Sequence, residues 1–137
     1  MMVIDADNLI LGRLASHCAK LLLKGEEVTV VNAEKSVISG TKKSITADYK
    51  NKRKIGGVRK GPYYPRMPDR ILKRTIRGMI PYKKPSGKKA YSRLRVHIGI
   101  PKELRDDELM TVPDASAEGK VKYVQLGEVS KHLGAKF

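Results

Sequence analysis

The sequence predicts an α/β protein that forms a single domain, residues 1–137, with basic extensions. Residues 3–33 read as strand, helix and strand, the pattern of a βαβ unit. An apolar share of 40% in a chain of 137 residues is enough for one hydrophobic core. The positive charge is concentrated in residues 42–105, where 21 Lys and Arg face three Asp and Glu, whereas the net charge of the whole chain is +15. Such an excess of one sign favours a protein that binds a polyanion, most often nucleic acid.

The first forty residues supply the βαβ unit. Apolar side chains from Leu11 to Leu22 recur at the spacing of an amphipathic helix, with polar residues 7–8 as its start signal. Residues 28–33 form a near-continuous apolar run, which is typical of a buried parallel strand. The predicted elements are a strand at residues 3–6, a helix from Leu11 that Gly25 ends, a strand at residues 28–33 and a short strand at residues 37–38.

The rest of the chain alternates basic segments with short regular elements. Proline and glycine mark its turns, and helical or alternating apolar spacing marks its helices and strands. In chain order we expect a helix at residues 43–52, an extended basic loop at residues 52–68, a helix at residues 68–79, a basic turn at residues 83–89, a short helix with Tyr91, Arg93 and Arg95, a strand at residues 96–100, an acid-rich segment at residues 103–118, a strand at residues 121–126 and a helix at residues 128–134.

The helix at residues 68–79 carries the most specific signal. One face is apolar, and the other holds only cations, with Asp69 as the single nearby acid. An ordinary surface helix mixes both signs, so this pattern favours phosphate binding over a solvated face. The cations are Arg70, Lys73, Arg74 and Arg77.

The loop at residues 52–68 adds glycines, cations and two tyrosines. Glycines let a backbone approach phosphates closely, and Tyr63 and Tyr64 can stack on unpaired bases, which favours RNA. The two tyrosines are equally well explained as packing anchors. Lys52-Arg53-Lys54 alone would also fit a localisation signal or a tail.

No catalytic or metal-binding pattern is found. Residues 40–44 lack the second glycine of a phosphate-binding P-loop, and they read instead as a loop before a helix with Thr41 as its cap. Cys18 is the single cysteine, and the three histidines lack metal-ligand spacing, so no disulfide, metal or cofactor is predicted. The start of the chain lacks signal-peptide features and no run approaches the roughly 18 apolar residues of a membrane span, so we expect a cytoplasmic protein.

Three segments in order resemble one protein family. They are residues 4–6 followed by residues 11–16 (Leu-Gly-Arg-Leu-Ala-Ser), residues 31–35 followed by Gly40, Lys42 and Lys43, and residues 77–81 (Arg-Gly-Met-Ile-Pro) with the basic run to Val96. This arrangement is similar to the universal large-subunit ribosomal protein L-thirteen family. The short connection before Val28 and the loop between Asn51 and Pro68 resemble its archaeal and eukaryotic branch.

The resemblance implies a three-layer α/β/α fold with a small, largely parallel sheet. It also implies a non-enzymatic constituent of the large ribosomal subunit that binds and stabilises large-subunit rRNA, supports subunit assembly and translation, and contacts neighbouring ribosomal proteins. An RNA-modifying enzyme and a cationic protein on anionic membranes are the alternatives. The first lacks a catalytic constellation, and the basic helix lacks the Trp or Phe typical of the second.

The residues expected to contact RNA come from the helix face, the basic segments beside it and two positions nearer the start of the chain. They are Arg13, Lys42, Lys43, Lys52, Arg53, Lys54, Arg59, Lys60, Tyr63, Arg66, Arg70, Lys73, Arg74, Arg77, Lys83, Lys84, Lys88, Lys89, Arg93 and Arg95. Phosphate contacts should dominate, with recognition mainly by RNA shape.

Overall fold

The computed structural model describes residues 2–54, 64–104, 109–117 and 122–137. Helices and strands are mixed along the chain, which confirms the predicted α/β class. The elements are β1 (Met2–Asp5), α1 (Leu11–Leu23), β2 (Val28–Val31), β3 (Val37–Ser39), α2 (Lys42–Lys54), α3 (Pro68–Arg77), α4 (Pro85–Ser92), β4 (Leu94–Val96), β5 (Tyr123–Gln125) and α5 (Leu126–His132). Short 3-10 turns lie at Ala33–Lys35, Lys102–Leu104 and Pro113–Ala115.

The central sheet is small and parallel, as predicted. Its strand order is β1-β2-β4, with Ile4 opposite Val30 and Val30 opposite Val96. All four residues of β2 are buried, which is why this central strand reads as a continuous apolar run. A separate antiparallel pair joins β3 to β5, with Ile38 opposite Val124.

The helices α1 and α3 pack against each other and against one face of the sheet. Leu14 and Leu22 of α1 and Ile71 and Ile76 of α3 are fully buried. Each such side chain contributes about 1.5–3 kcal/mol relative to an exposed one. A helix layer on the opposite face of the sheet stays a prediction.

The boundaries of the two basic helices differ from those predicted. The helix α2 continues to Lys54, since no glycine or proline interrupts residues 42–55, so residues 52–54 are helical and do not belong to a loop. The helix α3 ends at Arg77, two residues early. Met79 lies beyond the end of α3 and is 44% exposed, whereas Ile80 is buried.

The segment from Pro81 to Val96 also differs from the prediction. The basic turn contains the first turns of α4, and a strand, not a helix, carries Arg95. Helix α4 begins with Pro85 and approaches the preceding chain so closely that a Cβ at Gly87 would lie 1.8 Å from the Pro81 carbonyl oxygen. The fourth strand ends at Val96, so residues 97–100 are not a strand, although His97 still donates its N–H to the Val30 carbonyl oxygen at 2.8 Å.

The carboxyl ends of β1 and β2 are joined by Asp5. The helix α1 begins at Leu11, as predicted, but the expected start signal at residues 7–8 does not cap it: the N-cap position is Ile10, which makes no side-chain hydrogen bond. The Asp5 carboxylate instead accepts hydrogen bonds from the Asp7 N–H (3.0 Å) and from Nδ2 of Asn32 (2.9 Å). The backbone of Asn32 is left-handed (φ 57°), which ends β2 earlier than the apolar run suggested.

Part of the acid-rich segment packs beside β1. Asp5 donates its N–H to the Met110 carbonyl oxygen at 2.8 Å, and Val112 and Ala115 are buried. Residues 109–117 are therefore packed against the rest of the fold beside β1. Residues 105–108 of the predicted acid-rich segment lie outside the described residues, and the strand and helix predicted for residues 121–134 correspond to β5 and α5.

Candidate nucleic-acid interface

The charged face of α3 forms one side of a groove. Burial of Ile71, Leu72 and Ile76 against the core turns the opposite side of the helix outward. The groove has a volume of about 590 Å³. It is lined by Arg70, Lys73, Arg74 and Arg77 together with Tyr64 and Tyr91.

The cations of this groove have no acidic partners among the described residues. Among the described residues a single ion pair is found, between Lys52 and Asp48 of helix α2 (3.7 Å). Asp69 also lines the groove, but its Oδ1 accepts the backbone N–H of Arg70 at 2.9 Å. Four cations against the single carboxylate of Asp69 leave the groove with a net positive charge, and an anion in the groove would relieve the repulsion among the cations.

Two tyrosines contact cations of α3. The Lys73 Nζ lies 5.1 Å from the ring centroid of Tyr91, and the Arg77 guanidinium lies 5.1 Å from that of Tyr82. The two rings meet edge to face at 5.3 Å. These cation–π contacts hold both cations beside the groove.

A second aromatic pair joins the end of α2 to the same groove. The Lys52 Nζ lies 4.5 Å from the ring centroid of Tyr49 and 5.4 Å from that of Tyr64. Arg53 donates a hydrogen bond to the carbonyl oxygen of Tyr64. Burial, and secondarily the charge of Arg66, lower the pKa of Arg53. Cations from two helices therefore converge around Tyr64.

The phenols of Tyr64 and Tyr91, which line the groove, stay neutral near pH 7. Burial raises the pKa of Tyr64, although Arg74 opposes the shift, and burial likewise raises the pKa of Tyr91 against the effect of Arg77. Neutral rings add no negative charge that would repel a polyanion.

The basic residues around α4 are mostly exposed, and one of them has a structural partner. Arg95 is exposed in β4, whereas Arg93 directs its guanidinium inward and donates a 2.7 Å hydrogen bond to the Leu22 carbonyl oxygen. No local sequence pattern predicts this bond, because the two residues are 71 positions apart. The remaining cations of this group, all exposed, are Lys83, Lys84, Lys88 and Lys89.

Three predicted RNA contacts lie at other grooves. Arg13 is exposed on α1 and donates to the Asp114 carbonyl oxygen at 3.3 Å. Lys42 and Lys43, at the start of α2, line a groove that also includes His132 of α5. The structure therefore does not bring these residues into the α3 groove.

Predicted contacts at Arg59, Lys60 and Tyr63 lie outside the described residues. The tyrosines of the groove, Tyr64 and Tyr91, were absent from the predicted set. The sequence does concentrate tyrosines in the basic segment, since five of the six fall between residues 49 and 91. Their spacing alone, however, does not distinguish tyrosines that pack in the core from tyrosines that bind RNA.

In the described parts of the chain, no group of three His, Cys, Asp or Glu side chains could hold a metal ion. Cys18 is fully buried, and burial raises the pKa of its thiol to about 12, as expected for a core residue. Within the same residues, no helix is long and apolar enough to cross a membrane.

Comparisons with known proteins give the family. A family model described as Ribosomal protein L13 matches residues 1–103. The chain belongs to this family. Large ribosomal subunit protein uL13 of Methanosarcina barkeri is 54% identical over the full length of both chains, and that of Methanocaldococcus jannaschii is 50% identical with the same coverage. The uL13 protein of Archaeoglobus fulgidus is 54% identical, over 96% of this chain and 86% of that protein.

These relatives are archaeal, which agrees with the predicted archaeal or eukaryotic branch of the L13 family. Membership of a ribosomal protein family confirms the expectation of a structural component, not an enzyme. The L13 model ends at residue 103, but the relatives align beyond it. The alignments with the Methanosarcina barkeri and Methanocaldococcus jannaschii proteins therefore include the acid-rich segment at residues 103–118.

Proposed function

We propose that this protein is a cytoplasmic constituent of the large ribosomal subunit that binds and stabilises large-subunit rRNA and supports subunit assembly and translation. The observation that carries the proposal is the α3 groove, where four cations lie together without an ion-pair partner among the described residues. Relatives named large ribosomal subunit proteins support the choice of RNA and of subunit. Neighbouring ribosomal proteins are the other proposed partners.

Phosphate contacts supply most of the binding energy in this proposal. Three of the four α3 cations are arginines, whose planar guanidinium groups donate paired hydrogen bonds to phosphate oxygens. In the last turn of α2, Lys52 lies 5.4 Å from the ring of Tyr64, which lines the groove, so it adds a cation beside the same surface; Lys88 and Lys89 of α4 are exposed and available for further phosphate contacts. Such a surface recognises the shape of the RNA backbone, and its phosphate contacts fix the orientation of the protein on the RNA.

Binding to large-subunit rRNA as a function of salt concentration tests the proposal. Purified protein is titrated against large-subunit rRNA fragments, with small-subunit rRNA fragments of equal length as the control. We expect tighter binding to the former and a steep loss of affinity with salt, because each phosphate contact releases counterions. A nearly flat salt dependence, or equal affinity for both RNAs, would refute it.

The assembly role has its own test. The protein is added to large subunits reconstituted from rRNA and the other subunit proteins, and the particles are separated by sedimentation. We expect the protein to stay with large subunits in moderately high salt and to raise the yield of complete particles. An unchanged yield with and without the protein would remove assembly from the proposal.

A further inference from the structure

The α3 groove has the size and the walls of a site for a single ligand unit. Its volume of about 590 Å³ falls in the range of small-molecule sites, roughly 300–1,000 Å³. A flat or convex basic face would suffice to bind the outside of an RNA duplex. A concave groove instead fits a group that protrudes from the RNA.

Aromatic rings form part of the groove wall, and neighbouring side chains fix them in place. Tyr91 is held by Lys73 at 5.1 Å and by the edge of Tyr82 at 5.3 Å. Tyr64 is held by Lys52 at 5.4 Å and by Tyr49 at 6.0 Å, again in an edge-to-face arrangement. Both rings are half-buried and still line the groove. Rings fixed in this way lose little entropy when a ligand packs on them.

The charged side of the groove is suited to the phosphates of the same ligand. Arg70 and Arg74 are exposed, one turn apart on α3, and both line the groove. Lys73 and Arg77 are already engaged with tyrosine rings, which leaves the two exposed arginines as the mobile phosphate ligands. A base with its phosphates combines both requirements, since it offers an aromatic face and negative charge at one nucleotide.

We propose that the α3 groove receives one unpaired nucleotide of the RNA, whose base packs on the tyrosine walls while its phosphates pair with Arg70 and Arg74. Bases in RNA duplexes are stacked and cannot enter such a groove, whereas a bulge or loop can place one base outside the helix. The inference rests on the proposed RNA-binding function and adds the local RNA structure that the site selects. A base that packs on an aromatic side chain adds to the affinity of the RNA. Because every base has an aromatic face, this contribution does not require a particular base.

Three RNAs that differ at one position test this inference. The first is a 20-base-pair duplex, the second has one unpaired adenosine added, and the third carries an abasic residue at that position. We expect the adenosine bulge to bind about tenfold more tightly than the abasic bulge, since their charges are equal and only the base differs. Equal affinity for those two RNAs would overturn the inference, and salt-dependent binding to all three would leave the proposed function intact. Failure to bind any of them at low salt would count against both.

Variants of the tyrosines connect the preference to this groove. In Tyr91→Leu and Tyr64→Leu the preference for the adenosine bulge should fall, whereas Tyr91→Phe and Tyr64→Phe, which keep the ring, should retain it. With 2-aminopurine as the unpaired base, the wild-type protein should quench fluorescence and the Leu variants should quench less. Lys24→Ala, an exposed cation outside the groove, is the matched control and should leave the preference unchanged. A preference that survives in both Leu variants would place the base elsewhere and refute this site.

Discussion

Removal of three α3 cations should reduce both the affinity for RNA and its salt dependence. The triple variant Arg70→Ala, Arg74→Ala and Arg77→Ala leaves Lys73 as the single α3 cation of the groove. Each lost phosphate contact lowers the log–log salt slope by about 0.7 for single strands to 0.9 for duplexes. Three contacts therefore lower it by about 2 to 3, so the advantage of the wild type over the variant should shrink about 20- to 40-fold between 50 and 200 mM salt.

Fluorescence anisotropy with a labelled large-subunit rRNA fragment at a series of salt concentrations measures this slope. Circular dichroism and thermal melting provide the control. The three arginines have no ion-pair partner among the described residues, and Arg77 loses only a cation–π contact worth about 0.5–1 kcal/mol. The melting temperature should hence change by no more than about 4 °C. An unchanged salt slope in a folded variant would show that this helix face does not bind phosphate.

Three further predictions concern the folding of the domain. Gly87→Ala should lower the melting temperature markedly, because its Cβ would overlap a carbonyl oxygen 1.8 Å away. Gly12→Ala in the open surface of α1 should instead be neutral or stabilise by up to about 1 kcal/mol, and equal effects at both sites would contradict the packing described. Cys18 should react slowly with thiol reagents at pH 8 until the protein unfolds. Because folding raises its pKa to about 12, the stability that it contributes is complete below about pH 9 and is lost as the pH rises toward 12, a loss that the Cys18→Ala variant should lack. Arg93→Ala should destabilise the domain by about 1–3 kcal/mol in chemical denaturation, whereas Arg95→Ala should weaken RNA binding at unchanged stability; the reverse pattern would exclude the structural role of Arg93.

Local patterns were sufficient for the elements that are buried either entirely or along one face. The apolar run at residues 28–33 identified a buried strand, and helical spacing identified α1 and α3, because burial imposes those periods on the sequence. Boundaries were less predictable. The start of α1 at Leu11 lacks a side-chain cap, and the end of β2 depends on a left-handed Asn32 whose side chain bonds to Asp5. Such contacts join residues that are distant in sequence, and no local pattern reports them.

The sequence by itself determined the sign and location of the charge, the amphipathic faces of α1 and α3, and a resemblance to the L13 family that the comparisons confirm. Each of these features depends only on residue types and on their spacing within one segment of the chain. Only the tertiary structure decided which cations share a surface. It separated Arg13 and Lys43 from the α3 groove, turned Arg93 toward the core, and placed Tyr64 and Tyr91 among the arginines. Convergence of this kind depends on how helices pack around the sheet, because packing sets distances between segments that the chain order leaves open.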